Sequence, residues 1–228
     1  MKKLITTFLV LVIAQQANAI IITLPSPNPP TATIVPPNAV VMDFDGLSVG
    51  AENLEITEAY HEDGFILDIY GLTVQVPRFY MYGTDSVSAY TGQKSLIQAQ
   101  SGQGVGAILT RDGGTPFDLF SIDLIEIVNG PSFLSPNLTE VLFEGIKSDS
   151  TVVTQLFVLD GIWGFETFDF NGFTNLTSLK WDIADGFSSY HQFDNIVLAP
   201  ATVPAPATIL LFALGLIELI SIVKRKKS

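Results

Sequence analysis

The most informative absence in this 228-residue sequence is cysteine, of which there is none. The chain therefore has no disulfide, no thiolate metal site, no cysteine nucleophile and no cysteine for acylation as in lipoproteins. Histidine is nearly as scarce, and His61 and His191 alone exclude a histidine-rich metal centre. Stability must come from a hydrophobic core or from bound metal ions.

Basic residues are also few, and most of them lie at the two ends of the chain. Of 23 acidic and 11 basic residues, one acidic and six basic residues fall in residues 1–19 and 200–228. The segment between them keeps 22 acidic and five basic residues, a formal charge of −17. Such a surface repels phosphate backbones, which excludes nucleic acid as a partner. It suits solubility after export, or attraction of divalent cations.

The first 19 residues have the layout of a secretory signal peptide. Lys2 and Lys3 form a basic start, an apolar run follows from Leu4 to about Ala14, and Ala17-Asn18-Ala19 provides a small-x-small cleavage site. The apolar run is well short of the roughly 20 residues that a membrane span needs. We therefore predict export and cleavage after Ala19, with an uncleaved N-terminal anchor as the alternative.

Residues 20–38 are rich in proline and are predicted to be a linker. Prolines at 25, 27, 29, 30, 36 and 37 favour extended backbone and exclude a regular helix or a central strand. We expect this segment to be a spacer or an arm that lies along the edge of the domain. The globular domain is then predicted to span residues 39–199.

The predicted domain is β-rich throughout. Short apolar or alternating segments are separated by turns rich in Gly, Asn and Asp, such as Arg111-Asp112-Gly113-Gly114. No window shows a convincing amphipathic helix of a dozen residues. Many short strands at roughly regular spacing predict an all-β fold, an antiparallel two-sheet β-sandwich that is jelly-roll-like.

Residues 200–228 form a tail with one hydrophobic helix predicted at 209–223. Fifteen residues give roughly 22 Å of helix, which is short for a hydrocarbon core of about 30 Å. Glu218 lies inside the run and costs on the order of 2 to 3 kcal/mol at mid-bilayer. The basic cluster Lys224–Lys227 marks the cytoplasmic side. Because the helix is short and contains an acidic residue, it is better suited to transient than to permanent anchoring at the inner membrane.

The order of parts in this tail resembles the PEP-CTERM sorting signal of exopolysaccharide-producing Gram-negative bacteria. That signal combines a Val-Pro-Glu-Pro-type motif, a short hydrophobic helix and a basic cluster, and Ala205 stands here where the family usually has Glu. The resemblance implies that an exosortase-like membrane protease recognises the tail and releases the protein to the cell surface or extracellular matrix. The motif residues are Val203, Pro204, Ala205, Pro206, Ala207 and Thr208. A plain single-pass anchor is the alternative.

Three stretches of the domain resemble secreted jelly-roll domains that carry such tails. Val41–Leu47 is similar to their first strand, His191–Leu198 to the last, and Gly114–Leu124 to a central one. The resemblance supports the jelly-roll fold and implies no particular activity.

Jelly-roll carbohydrate-binding modules, which this core resembles, often hold a structural Ca²⁺ between the first and last strands. The resemblance implies such a site at Asp43, Asp45, Asp194 and Asn195, whose oxygens are ligands that Ca²⁺ prefers. The alternative is that Asp43 and Asp45 are ordinary polar residues beside a turn and that Asp194 ends a strand.

Aromatic residues supply candidates for stacking on a sugar. Trp163 lies in the Gly-flanked loop Asp160-Gly161-Ile162-Trp163-Gly164, where an exposed ring is expected, and Tyr190 is the second candidate. Trp181, in an alternating strand, is expected in the core. Catalysis by paired carboxylates stays open, although Glu166 and Asp169 do not match the Glu-x-Asp-x-x-Glu motif of sandwich glycosidases.

Together these patterns predict a non-enzymatic, exported β-sandwich protein. It would be tethered at the inner membrane as a precursor, sorted by an exosortase-like protease, and would bind glycan such as exopolysaccharide, or calcium, weakly. The alternative is a lectin-type module or carbohydrate-active enzyme that stays permanently anchored in the inner membrane.

Overall fold

The computed structural model describes residues 20–23, 36–48, 50–71, 78–83, 94–98, 105–126, 139–183 and 191–201. The predicted signal peptide with Ala17 and Ala19, the sorting motif at 203–208, the tail helix at 209–223 and Tyr190 lie outside these residues. Among the described residues no helix is long and apolar enough to cross a membrane.

The regular secondary structure of the described residues is β-strand, apart from one short 3-10 turn at Asp112–Gly114. The strands are β1 (Ile20–Thr23), β2 (Val40–Met42), β3 (Leu54–Ile56), β4 (Tyr60–Glu62), β5 (Phe65–Tyr70), β6 (Phe79–Met81), β7 (Leu96–Gln98), β8 (Gly106–Arg111), β9 (Phe117–Glu126), β10 (Glu140–Lys147), β11 (Val152–Val158), β12 (Glu166–Asp169), β13 (Leu176–Ile183) and β14 (His191–Pro200). The all-β prediction is confirmed.

Strand pairing divides these strands into two sheets. The first has the order β1-β11-β10-β13-β8-β5-β4. In the second, β12 pairs with β9 and β9 with β14; the other side of β14 pairs with β7 and β2, and β7 continues to β6 and β3. The two sheets are joined through the single pair Leu176–Phe117, which makes the domain a two-sheet sandwich.

Antiparallel pairing is the rule in both sheets, and β1 is the exception. Ile20–Thr23 pairs in parallel with Thr154–Phe157 of β11, at the edge of the first sheet. These four residues belong to the segment predicted as a linker, so part of it forms an edge strand. An edge is the place in a sheet that the neighbouring prolines allow.

The core between the sheets is built from aromatic rings that meet across the sandwich. Trp181 of the first sheet stacks on Phe143 and packs edge-on against Phe193 of the second sheet, with ring centroids 5.3 Å apart in the second pair. Phe65 and Phe117 make a similar perpendicular contact at 5.5 Å between the sheets. Removing such a ring costs about 3 to 5 kcal/mol. This packing replaces the disulfides that the chain lacks.

Strand β14 is irregular at Asn195. Asp194 pairs with Asp123 but Val197 pairs with Ser121, so β14 has one residue more than β9 over this interval. Asn195 has a positive φ of 46°, a conformation that asparagine tolerates better than most residues. A bulge of this kind bends a strand and redirects its side chains. It places several polar side chains of β9 and β14 beside the end of β2.

Candidate functional site

The first candidate site lies where the first domain strand meets the last. Met42 of β2 pairs with Ile196 of β14, so the calcium candidates Asp43 and Asp45 lie beside Asp194 and Asn195. Burial, followed by the charges of Asp123, Asp43 and Asp45, raises the pKa of Asp194 to about 7. The structure thus brings together the residues that the sequence singled out and adds Asp123. We call Asp43, Asp45, Asp123 and Asp194 the terminal-strand cluster.

Hydrogen bonds already occupy part of the terminal-strand cluster. Asp43 Oδ1 accepts the Asp45 N–H at 2.9 Å, and Asp194 Oδ1 accepts the Asn195 N–H at 2.8 Å. The Asn195 side-chain amide donates to Asp123 Oδ2 at 2.9 Å. Lys94 Nζ lies 3.5 Å from Asp45 Oδ1 and supplies a positive charge. Calcium binding at these residues remains a prediction.

The second candidate site is a group of three carboxylates that the sequence did not predict as a site. One oxygen each of Glu126, Asp160 and Glu166 lies within 4.8 Å of the other two. Glu126 ends β9, Asp160 follows β11, and Glu166 begins β12. The pairing of Glu166 with Leu124 brings β12 alongside the end of β9, which explains the convergence. We call these three residues the loop cluster.

Backbone N–H groups of the 160–164 loop orient each of these carboxylates. Gly161 donates to Glu126 Oε1 at 2.7 Å, Ile162 to Asp160 Oδ1 at 2.7 Å, and Asp160 to Glu166 Oε1 at 3.1 Å. Burial, followed by the charges of Asp160 and Glu126, raises the pKa of Glu166 to about 7. Burial also raises the pKa of Glu126. The site therefore holds acidic groups that repel one another in a partly enclosed place.

A row of buried polar side chains crosses the second sheet next to the loop cluster. Glu126 pairs with His191 across β9 and β14, and the register that pairs Gln192 with Ile97 places Gln98 opposite His191. These three side chains are at most 5% exposed. Within the described part of the chain, Glu126 Oε2, both ring nitrogens of His191 and both side-chain polar atoms of Gln98 have no hydrogen-bond partner. Burial lowers the pKa of His191 to about 4, so the ring is neutral at pH 7.

The two tryptophans occupy contrasting positions. Trp181 is 1% exposed and lies in the aromatic core, as the sequence predicted. Trp163 is partly exposed in the loop that carries Asp160, beside Ile162, whose exposure is 66%. No aromatic ring of the described residues packs on Trp163. Trp163 thus keeps an exposed part that could contact a sugar, whereas Trp181 does not.

Sequence reasoning missed the loop cluster and Asp123 for a simple reason. Glu126, Asp160 and Glu166 are 34 and 6 residues apart along the chain, and no motif has that spacing. A weak signal was the run Leu159-Asp160-Gly161, where an acidic residue and a glycine end a strand. Only the register of β12 on β9 shows that Glu166 faces Glu126.

Comparisons with known proteins give weak structural likenesses. No family model and no curated protein matches this sequence. A mutant of the family 29 carbohydrate-binding module CBM29-2, complexed with mannohexaose, is 12% identical over 67% of this chain and 96% of its own, with a TM-score of 0.40. The CBM22-1–GH10 modules of Clostridium thermocellum xylanase 10B, complexed with xylohexaose, are 12% identical over 74% of this chain and 29% of theirs, with a TM-score of 0.34. TM-scores this low carry no argument about the fold. The assignment as a two-sheet sandwich therefore rests on the strand pairing of this chain itself.

Proposed function

We propose that this chain is an exported, non-enzymatic, jelly-roll-like β-sandwich protein that binds glycan through the loop around Trp163. One observation carries the proposal: Trp163 is partly exposed and no aromatic ring of the described residues packs on it, while the other tryptophan is buried in the core. A flat ring that is held beside oriented carboxylates can stack on a sugar, and acidic groups can accept hydrogen bonds from its hydroxyls.

The test is binding of the full chain, purified in detergent, to soluble β-glucan, mannan and xylan and to the exopolysaccharide of the native host. We expect Trp163→Ala to abolish retardation in affinity electrophoresis and Trp163→Phe to keep part of it. Ile162→Ala is the matched control, because Ile162 is exposed in the same loop but is not aromatic. Equal binding by Trp163→Ala and the wild type would refute the role of this loop.

Export and sorting are the second part of this proposal. The basis is the sequence of residues 1–19 and of the tail at 200–228, with its motif Val203–Thr208. The test is the intact mass of the protein from membrane and surface fractions of the native host. A surface form that starts near Ile20 and ends close to Val203–Thr208 supports sorting by an exosortase-like protease. A membrane form that still carries Lys224–Ser228 indicates a permanent anchor.

Glycoside hydrolysis is a second candidate, which the convergence of Glu126 and Glu166 favours. Two carboxyl groups about 5 Å apart, one with a raised pKa, are the equipment of a retaining glycosidase. Against this, Glu126 is only 5% exposed and its Oε1 accepts the Gly161 N–H, so it is poorly placed to reach a sugar. Release of chromogenic leaving groups from aryl glycosides, lost in Glu166→Gln, would establish the enzyme and refute the non-enzymatic proposal.

A further inference from the structure

The loop cluster has the dimensions of a site for a hard cation. Ca²⁺ binds oxygen ligands at about 2.3 to 2.6 Å, so ligands on opposite sides of the ion are about 4.6 to 5.2 Å apart. The ligand oxygens of Glu126, Asp160 and Glu166 all lie within 4.8 Å of one another. One ion can therefore contact all three carboxylates without a rearrangement of the strands that carry them.

Glu126 supplies an independent indication that a ligand belongs here. Its side chain is buried, with 5% exposure, and its Oε1 accepts the Gly161 N–H. Its Oε2 is fully enclosed and has no hydrogen-bond partner among the described residues. A buried carboxylate oxygen without a partner costs free energy that a bound cation would recover.

No positive side chain of the described residues neutralises the carboxylates of the loop cluster. Among the described residues, no lysine, arginine or histidine forms an ion pair with Glu126, Asp160 or Glu166.

We infer that Glu126, Asp160 and Glu166 bind a divalent hard cation, Ca²⁺, which fixes the 160–164 loop against the ends of β9 and β12. The ligands are all carboxylate oxygens, a set that favours Ca²⁺ over zinc or copper. Ca²⁺ also accepts the irregular geometry of ligands from two strand ends and a loop more readily than Mg²⁺ does. This inference does not depend on the proposed glycan binding, because it concerns only how the 160–164 loop is held in place.

The test measures the melting temperature and cation binding of the full chain in detergent, after removal of metal with EDTA. We expect the wild type to gain several degrees in melting temperature at about 10 mM Ca²⁺, since a ligand of the folded state stabilises it. Tb³⁺ in place of Ca²⁺ gives a second measurement. Trp163 is three residues from both Asp160 and Glu166, so excitation of tryptophan should sensitise Tb³⁺ luminescence, and Trp163→Phe should weaken that signal without changing Ca²⁺ affinity.

The decisive variants are Glu126→Gln and Glu166→Gln, which keep the side-chain shape and remove one charge. Each should melt higher than the wild type in EDTA, because repulsion is relieved, and each should lose the rise with Ca²⁺ and bind it about tenfold or more weakly. Glu55→Gln, at an exposed position of β3, is the matched control and should behave as the wild type. A wild type indifferent to Ca²⁺, or a full Ca²⁺ response in Glu126→Gln and Glu166→Gln, overturns the inference. Glycan is absent from these assays, so their outcome is separate from that of the glycan-binding test.

Discussion

The terminal-strand cluster and the loop cluster both gather acidic side chains at the border of the second sheet, and they balance that charge differently. In the terminal-strand cluster, Lys94 lies 3.5 Å from Asp45 and the Asn195 amide donates to Asp123. In the loop cluster, the donors are backbone N–H groups, and Glu126 Oε2 has no partner among the described residues. Protein groups thus satisfy much of the first cluster, whereas the second keeps an enclosed carboxylate oxygen for which we propose a cation as the partner.

This difference shows that counting acidic residues is a poor guide to metal binding. Both clusters contain a carboxylate whose pKa is raised to about 7, Asp194 in one and Glu166 in the other. What separates them is whether protein donors and cations reach the enclosed oxygens. Three experiments sharpen this comparison, from the largest expected effect to the smallest.

The largest effect on the free energy of unfolding is expected in acid. It comes from His191, which is buried opposite Glu126 of the loop cluster. Burial lowers the pKa of His191 to about 4 from its ordinary 6.5. As the pH falls below 6.5, the unfolded chain takes up a proton that the folded chain refuses, so the free energy of unfolding decreases until about pH 4. Between pH 7 and pH 4 the wild type should lose about 3 kcal/mol more than His191→Leu in urea unfolding.

His61 provides the control for this experiment, because its side chain is 61% exposed. His61→Gln removes an exposed imidazole and serves as the matched variant in the same unfolding series. A His191→Leu variant that is as sensitive to acid as the wild type would contradict the assignment of a buried neutral imidazole.

The second experiment tests whether hydrogen bonds hold the terminal-strand cluster together. Asp123 accepts one hydrogen bond from Asn195 Nδ2 at 2.9 Å and one from Thr167 Oγ1 at 2.6 Å, so it links β9 to β14 and β12. Asp123→Ala should lower the free energy of unfolding by about 1 to 2 kcal/mol in urea, and Thr167→Val, which removes one bond, by less. No loss in Asp123→Ala would mean that relief of repulsion from Asp194 outweighs both bonds.

The third experiment asks whether calcium also binds at Asp43, Asp45, Asp194 and Asn195, as the sequence predicted. Asp194→Asn removes a charge from a side chain that is 4% exposed. We expect its Ca²⁺-dependent rise in melting temperature to be smaller than that of the wild type by about 2 °C, less than the loss in Glu166→Gln, because Lys94 and Asn195 already offset part of the charge. An unchanged rise would remove calcium from the terminal-strand cluster.

The sequence predicted the fold best where apolar residues alternate regularly. Phe65–Tyr70, for example, alternates between buried and half-buried positions along β5. The short strands β3, β4 and β12 have no such pattern. Tyr60–Glu62 and Glu166–Asp169 are three or four residues long and half polar, so only pairing with a neighbour makes them strands.

The candidate sites likewise depend on strand pairing that is not visible in the local sequence. The approach of Asp43 and Asp45 to Asp194 was expected because first and last strands of a jelly roll are neighbours, and the pairing of β2 with β14 agrees. The loop cluster depends on the register of β12, a strand that the sequence did not reveal. The bulge at Asn195 likewise has no local sequence signal apart from an Asp-Asn pair.

Strand β14 also has a mechanical consequence for a protein whose C-terminal segment is a proposed anchor. A force applied through that segment enters the domain at Pro200, the last residue of β14. This strand lies inside its sheet, with β9 on one side and β7 and β2 on the other. A pull along its axis would load these rows of hydrogen bonds in shear, all at once, instead of opening them one by one. The domain would then resist traction at the attachment point better than if its final strand lay at an edge.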